Sequence, residues 1–451
     1  MANGFNNSLI TINMVTRMAV RIFKNTNRFL KSINTQYSDM FSIDGAKIGD
    51  TVRIRLPNDY TVRVGAAASV QNTTEQYTTL PLQTQLGVDT GFSTAERSLK
   101  LDDYAERVML PKMNKLAGSI AADLMTITEA GYTTLYGSVQ DTGSYGSGGA
   151  SPLGGGGGVC NMAGNFVAGQ GTALTSPNQF TWLAAGALLD DNSAPELRRK
   201  AINDPTSDAR IAGQLVGLLN PSTAISEQYR SGSMKNALGF DWAKDQTILK
   251  HTVGSFTAGT LNGAGQGGSP GGTTLLVNAI TGTLNAGDII TIAGVNAVNR
   301  VTGLSTGSLR QFVVTANVAA GATSVPIYPG IVAPAVVNGV GTPVQYQTVT
   351  PVTPNTVCPA NGAAINLMTL PTITYRKNLA FAPEFMTAAF ADLVLPPNLQ
   401  EGARATYDGV SMRALTQYQA GTDVLISRLD VIYGAVLPRG EWACIVPDVT
   451  P

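Results

Sequence analysis

Between residues 10 and 33, Val15, Met18, Ile22, Phe29 and Ile33 recur close to the helical period, while Arg17, Arg21, Lys24, Arg28 and Lys31 follow at steps of four and three. The stretch is expected to form an amphipathic helix with one apolar and one basic face. That basic face fits a solvated surface over structural packing, a contact with nucleic acid or an assembly partner, or a membrane-surface contact. From residue 51 the period changes to two. Val52, Ile54 and Leu56 alternate with Thr51, Arg53 and Arg55, and Thr-, Gln- and Gly-rich sequence follows as far as Ser98. This predicts a long two-stranded excursion, too poor in large apolar residues for a core of its own. A neighbouring subunit is its expected support. Asp102 and Asp103 then open the strongest helical segment, with a stripe of Met113, Leu116, Ile120, Leu124 and Ile127. Pro111 sits where the helix restarts or kinks, and Gly131 is its stop.

Residues 137 to 158 hold ten glycines, ending in the run Gly154 to Gly158, which suits a loop better than a regular element. Helical patterning resumes over Gln179 to Leu189 and again over Ala194 to Ala201, and a strand-turn signal spans Leu215 to Pro221. The sharpest change comes near residue 252: between 251 and 350 the only acidic or basic residues are Asp288, Arg300 and Arg310. Within that stretch Thr274 to Ile280, Asp288 to Val295, Gln311 to Val318 and Thr323 to Tyr328 read as short strands between Gly, Asn and Pro. They predict a small antiparallel barrel or sandwich. Mixed patterning returns after about 365, so the β module is expected to be inserted into a host domain.

Composition adds a hint of assembly. Lys plus Arg and Asp plus Glu are both 30, and charged residues make up 13% of the 451, against 43% apolar, with 49 glycines and 23 prolines. A balanced charge gives no global field toward nucleic acid or membrane, and a surface so poor in charge is often hidden against copies of itself. Cys160, Cys358 and Cys444 have no paired spacing, which argues against a disulfide framework or a zinc site. No run of 18 apolar residues and no secretory pattern is found, so a cytoplasm-like compartment is expected.

Candidate chemistry is scarce. His251 is the only histidine, so every imidazole-dependent scheme would pass through it, and Leu249-Lys250-His251-Thr252 offers no nucleophile signature. Asp102/Asp103 and Asp190/Asp191 fall at expected helix ends, where capping explains them. The glycine run is followed by Val159-Cys160-Asn161 rather than the Lys-Ser or Lys-Thr of a P-loop. No catalytic residue, metal site, cofactor or small-molecule substrate is expected.

The order of elements, together with Leu284-Asn285-Ala286-Gly287-Asp288-Ile289-Ile290-Thr291-Ile292-Ala293-Gly294-Val295 and Asn378-Leu379-Ala380-Phe381-Ala382-Pro383-Glu384-Phe385, resembles a known family. Leu219-Asn220-Pro221 and the segment Gly409 to Tyr433 fit as well. The resemblance is to tailed-bacteriophage major capsid proteins of the Hong Kong 97-type fold, in the P-twenty-two-like branch that carries an inserted β domain. It implies an α+β fold with an N-terminal arm at 1–45, an extended loop at 46–100 and a spine helix at 101–131. The capsid core would occupy 132–251 and 361–451, with the inserted domain at 252–360.

It further implies hexamers and pentamers closing into an icosahedral shell around double-stranded DNA, assembled in the host bacterial cytoplasm with a portal. The virion capsid is the expected location, without a membrane partner. Arg17, Arg21, Lys24, Arg28 and Lys31 would be candidate interior contacts to DNA or scaffold. No lysine lies between Lys47 and Lys100, so the covalent cross-linking of the namesake phage is not expected, and a separate scaffolding protein is. Two other readings stay open: an encapsulin-like nanocompartment shell and a β-rich adhesin or fibre protein.

Overall fold

The computed structural model describes residues 16–17, 19–21, 23, 27–35, 51–63, 65–66, 68, 70–73, 75–93, 110–130, 134–135, 179–214, 236–266, 272–337, 340–369, 371–397, 399 and 401–448. The expected helix opening at Asp102/Asp103, its stop at Gly131, the glycine-rich loop, the Leu215–Pro221 signal, Lys24 and Cys160 lie outside them. The described elements are mixed α and β, mostly β. They fall into two compact units: 1–56 with 77–124 and 386–438, and 57–76 with 125–385 and 439–451.

In the first unit the arm is not one continuous helix. Asn27 has extended backbone, and its side-chain oxygen accepts from Leu30 N (2.8 Å), capping the helix Arg28–Ser32. Its amide also donates to Ala117 O at 3.0 Å. An asparagine that bonds nearby backbone competes with the helix, which is why periodicity alone overran this break. Ala19, Val20, Phe23, Phe29, Leu30 and Ile33 are buried on the apolar side.

The helix Leu110–Ala130 buries Met113, Leu116, Ile120 and Leu124, as the stripe requires. Near its start Lys112 is 6% exposed, and its Nζ has no hydrogen-bond partner among the described residues. Desolvation, only partly offset by Asp89, lowers its pKa to about 8. Between that value and the ordinary 10.5 the unfolded chain keeps a proton that the folded chain has released. Stability therefore rises with pH through this window. Lys112→Met is expected to raise the urea midpoint at pH 7 by the equivalent of about 1 kcal/mol and to flatten that rise; a lower midpoint contradicts it.

Thr51–Arg55 pairs antiparallel with Tyr77–Pro81, from Thr51 opposite Pro81 to Arg55 opposite Tyr77. The buried face of this hairpin, Val52, Ile54 and Leu80 with Leu82, packs on Ala389 and Ala391 of the same chain. Its base therefore rests on its own subunit. Beyond the hairpin, Thr84–Ser93 is a sheet strand paired along Val424–Val436, from Ser93 opposite Val424 to Thr84 opposite Tyr433. That sheet continues through Val410–Gln419 to Glu401–Tyr407, with Thr387–Ala391 beside the end of Val424–Val436.

In the second unit a seven-stranded sheet has the order Thr134–Leu135, Ala443–Asp448, Thr374–Phe381, Lys200–Asn203, Phe240–Lys244, Asn236–Ala237, with Lys250–Thr252 also on Thr374–Phe381. The helix Gln179–Asp191 covers it through Trp182, Ala185 and Leu189, packed on Phe240 and Trp242. The expected second helix over Ala194 to Ala201 is instead a turn followed by a strand. Ser193 and Arg198 have φ of 57° and 65°, which a helix does not accommodate. Arg199 turns back to donate to Asp190 Oδ1 (2.6 Å), Ala194 O (2.8 Å) and Pro195 O (2.9 Å), satisfying carbonyls of the turn itself.

The low-charge module is a six-stranded antiparallel sheet: Val349–Pro351, Ile289–Val298, Ser305–Val314, Ser324–Ile331 and Gly272–Leu276 in order, with Ile365–Leu367 also on Ile289–Val298. Isolated bridges Leu261↔Val277 and Thr260↔Ala364 add pairing beyond its two ends. Ile290, Ile292, Phe312, Val314, Val325 and Ile327 are 0–1% exposed in its core. Burying such a side chain contributes about 1.5–3 kcal/mol. Ile365–Leu367 supplies a strand of this sheet, so the sheet reaches past residue 360, the end that the resemblance implies.

Candidate assembly surfaces

The five basic arm residues are only partly placed. Arg17, Arg21, Arg28 and Lys31 are exposed, opposite the buried Phe23, Phe29 and Leu30, and Lys24 is outside the described residues. Arg21 lies over the Tyr407 ring, 5.7 Å from its centroid. Arg28 and Lys31, three positions apart on the Arg28–Ser32 helix, are neighbours on its exposed side.

In the second unit the loop between the hairpin strands folds onto the β module. Tyr346 N donates to Asp59 Oδ2 (2.8 Å), and Gln345 Nε2 donates to Gln71 Oε1 (3.3 Å) and Asn72 O (3.2 Å). Gln71 braces the loop by accepting from Thr61 N at 2.8 Å and donating to Thr61 O at 2.5 Å. An open groove of about 730 Å³ lies beside these contacts, lined by Thr61, Gln71, Gln266, Val336, Gln345 and Cys358 among others. Burial pushes the Cys358 thiol up to about 12, far from a reactive thiolate. Val62 and Val70 on the same loop are each 93% exposed, and on the module Val301 and Leu304 are 81% and 69% exposed. Isolated valines and leucines at these loop positions left no periodic signal in the sequence; the charge deficit was the one pointer to them.

The lone histidine is structural. His251 is 3% exposed, its Nε2 is 2.8 Å from Asp288 Oδ1, and its ring meets Tyr375 edge-on at 5.4 Å. Asp288 Oδ2 accepts from Asn285 N (2.7 Å) and Gly254 N (3.1 Å). Asn285 Nδ2 donates to Thr252 O at 2.9 Å. The resemblance motif beginning at Leu284 thus carries the carboxylate that seats the module. The second motif supplies Asn378, which accepts from Asp204 N (2.9 Å) and donates to Ser207 Oγ (3.1 Å), while Ser207 donates to the buried Asp448 at 2.6 Å. Among the described residues no group of His, Cys, Asp and Glu could hold a metal, and no helix is long and apolar enough to cross a membrane.

A family model described as P22 coat protein (gene protein 5) matches residues 160–445. The chain belongs to the P22 coat protein family. As a coat protein it is a structural subunit of a phage capsid, which decides among the three sequence readings. The coat protein matches no curated protein. It is similar to a solved structure from Mycobacterium phage Che8 (10% identity, 93% of this chain and 90% of that one, TM-score 0.40). It is also similar to the capsid of Cyanophage P-SCSP1u (10%, 89% and 84%, 0.41) and to that of Ralstonia phage GP4 (7%, 90% and 85%, 0.42). For a coat protein the working surfaces are those that meet other copies.

Proposed function

We propose that the chain builds hexamers and pentamers that close into an icosahedral shell of Hong Kong 97 type around double-stranded DNA. The observation that carries this is the coat-protein family match over residues 160–445. The charge-poor surface supports it, because exposed valines and leucines on loops are removed from water when copies meet. In this reading residues 1–45 are the arm, 46–100 the extended loop and 101–131 the spine helix. Residues 132–251 and 361–451 form the capsid core, and 252–360 the inserted domain, a small barrel whose last strand lies just beyond residue 360. A separate scaffolding protein and a portal guide assembly in the bacterial cytoplasm. Electron microscopy of the chain expressed alone and with its neighbouring genes tests this: uniform closed particles are expected, and only monomers or fibres under every condition would refute it.

Arg17, Arg21, Lys24, Arg28 and Lys31 are the interior contact to DNA in the same reading, supported by the exposed basic side of the arm. Their joint replacement by glutamine is expected to make genome retention less dependent on salt, since each neutralised phosphate adds about one unit to the logarithmic salt slope. Unchanged salt dependence of filled particles argues against the contact.

A further inference from the structure

The Ile289–Val298 and Ser305–Val314 strands lose regular register between Asn296 and Val298. There the two arginines of the charge-poor module lie close to the turn Gly440–Trp442. Arg300, between the strands, sets Nη2 2.8 Å from Glu441 Oε1, whose side chain is 7% exposed. Arg439, just before the turn, stacks its guanidinium 4.7 Å from the centroid of the Trp442 ring. Arg310 is 8% exposed, and its Nε is fully covered with no acceptor. No side-chain hydrogen bond or ion pair of Arg310 is found among the described residues. Arg300, Glu441 and Tyr328 are the charged and titratable neighbours that act on both Arg310 and Arg439.

Three guanidinium groups thus lie within the field of one carboxylate, with Arg300 paired to it directly. Arginine does not shed its proton inside proteins, so its burial is not relieved by neutralisation in the way a lysine's is. A buried cation is ordinarily held with a counter-charge. We propose that Arg300, Arg310 and Arg439 bind one tetrahedral oxyanion of the phosphate class beside Glu441. The planar fork of each guanidinium matches such an anion, the Trp442 ring fixes the plane of Arg439, and Glu441 holds Arg300 in place. The bound anion ties the module's strand hairpin to the turn that leads into the Ala443–Asp448 strand.

Isothermal titration of the full-length, unassembled chain with inorganic phosphate, at constant ionic strength and against chloride, tests the site. Saturable one-to-one binding is expected, weakened at least tenfold in Arg310→Gln and in Arg439→Gln. Arg439 is only half-buried, so its variant keeps the test decisive if Arg310→Gln does not fold. Absence of binding beyond chloride, or binding that both substitutions leave unchanged, overturns the proposal. It is also overturned if phosphate does not bind while both substitutions block assembly, which would place a neighbouring chain's carboxylate there.

Discussion

Asp288→Ala is expected to destabilise the chain by about 3–5 kcal/mol, the cost of taking a buried carboxylate away from the groups hydrogen-bonded to it. The carboxylate and the His251 ring are 0% and 3% exposed, and the substitution strands the histidine together with the backbone N–H groups of Gly254 and Asn285. The two backbone N–H groups lose their acceptor, and each such loss is worth about 1–3 kcal/mol. Water cannot enter cheaply, because Gly254 lies so close to the module that a Cβ there would stand 2.2 Å from Thr283 O. His251→Ala should cost less, since Asp288 keeps its two backbone donors. Equilibrium unfolding in urea, followed with hydrogen exchange over residues 253–369, checks both: the loss should concentrate in the module, and equal effects of the two variants would contradict the ranking.

The second large effect is expected from a single methyl group. Gly434 lies in the Val424–Val436 strand, and a Cβ built there would stand 1.9 Å from Pro81 O, 2.9 Å from Pro81 C and 3.1 Å from Leu80 Cδ2. The first two are backbone atoms of the hairpin's return strand, so no side-chain rotation relieves the overlap. Gly434→Ala must push Tyr77–Pro81 away from the sheet, opening the cluster of Val52, Ile54, Leu80 and Leu82 on Ala389 and Ala391. Overpacking of this kind costs about 3 kcal/mol. Gly118→Ala is the matched control, because a Cβ there meets nothing within 4 Å and alanine favours the helix by up to about 1 kcal/mol. Unfolding midpoints of the two variants should move in opposite directions; a neutral Gly434→Ala would mean that the hairpin does not rest on the sheet.

The parts of the fold that were legible in sequence are those governed by one period. The stripe along Leu110–Ala130 and the core strands Ile289–Val298 and Ser324–Ile331 are long, apolar and locally consistent. Lys200–Asn203 was misread because a four-residue run buried within a sheet has no alternation to separate it from a helical turn. The decisive features there, the positive φ of Arg198 and the backward reach of Arg199, come from tertiary contacts. The closing strands Val349–Pro351 and Ile365–Leu367 are three residues each and draw their identity from Ile289–Val298. The break at Asn27 was in reach of the cap preference of asparagine, and periodicity masked it. Of the surfaces, the basic arm announced itself by charge spacing. The Arg300, Arg310 and Arg439 cluster did not, because it joins positions 139 residues apart at its extremes.

The entry and exit of the β module lie side by side. Thr252 is paired directly with Thr374, and Val253 N donates to Ile373 O at 2.9 Å, so about 120 residues leave and rejoin the host sheet through a single doorway one strand-spacing wide. To the host, the module has the boundary conditions of a tight turn, and loop length beyond a turn carries only a slowly growing entropic cost. Such a junction is a cassette slot. The contact between His251 on the host strand and Asp288 on the module crosses that doorway, and Arg300 with Glu441 adds a second tie away from it.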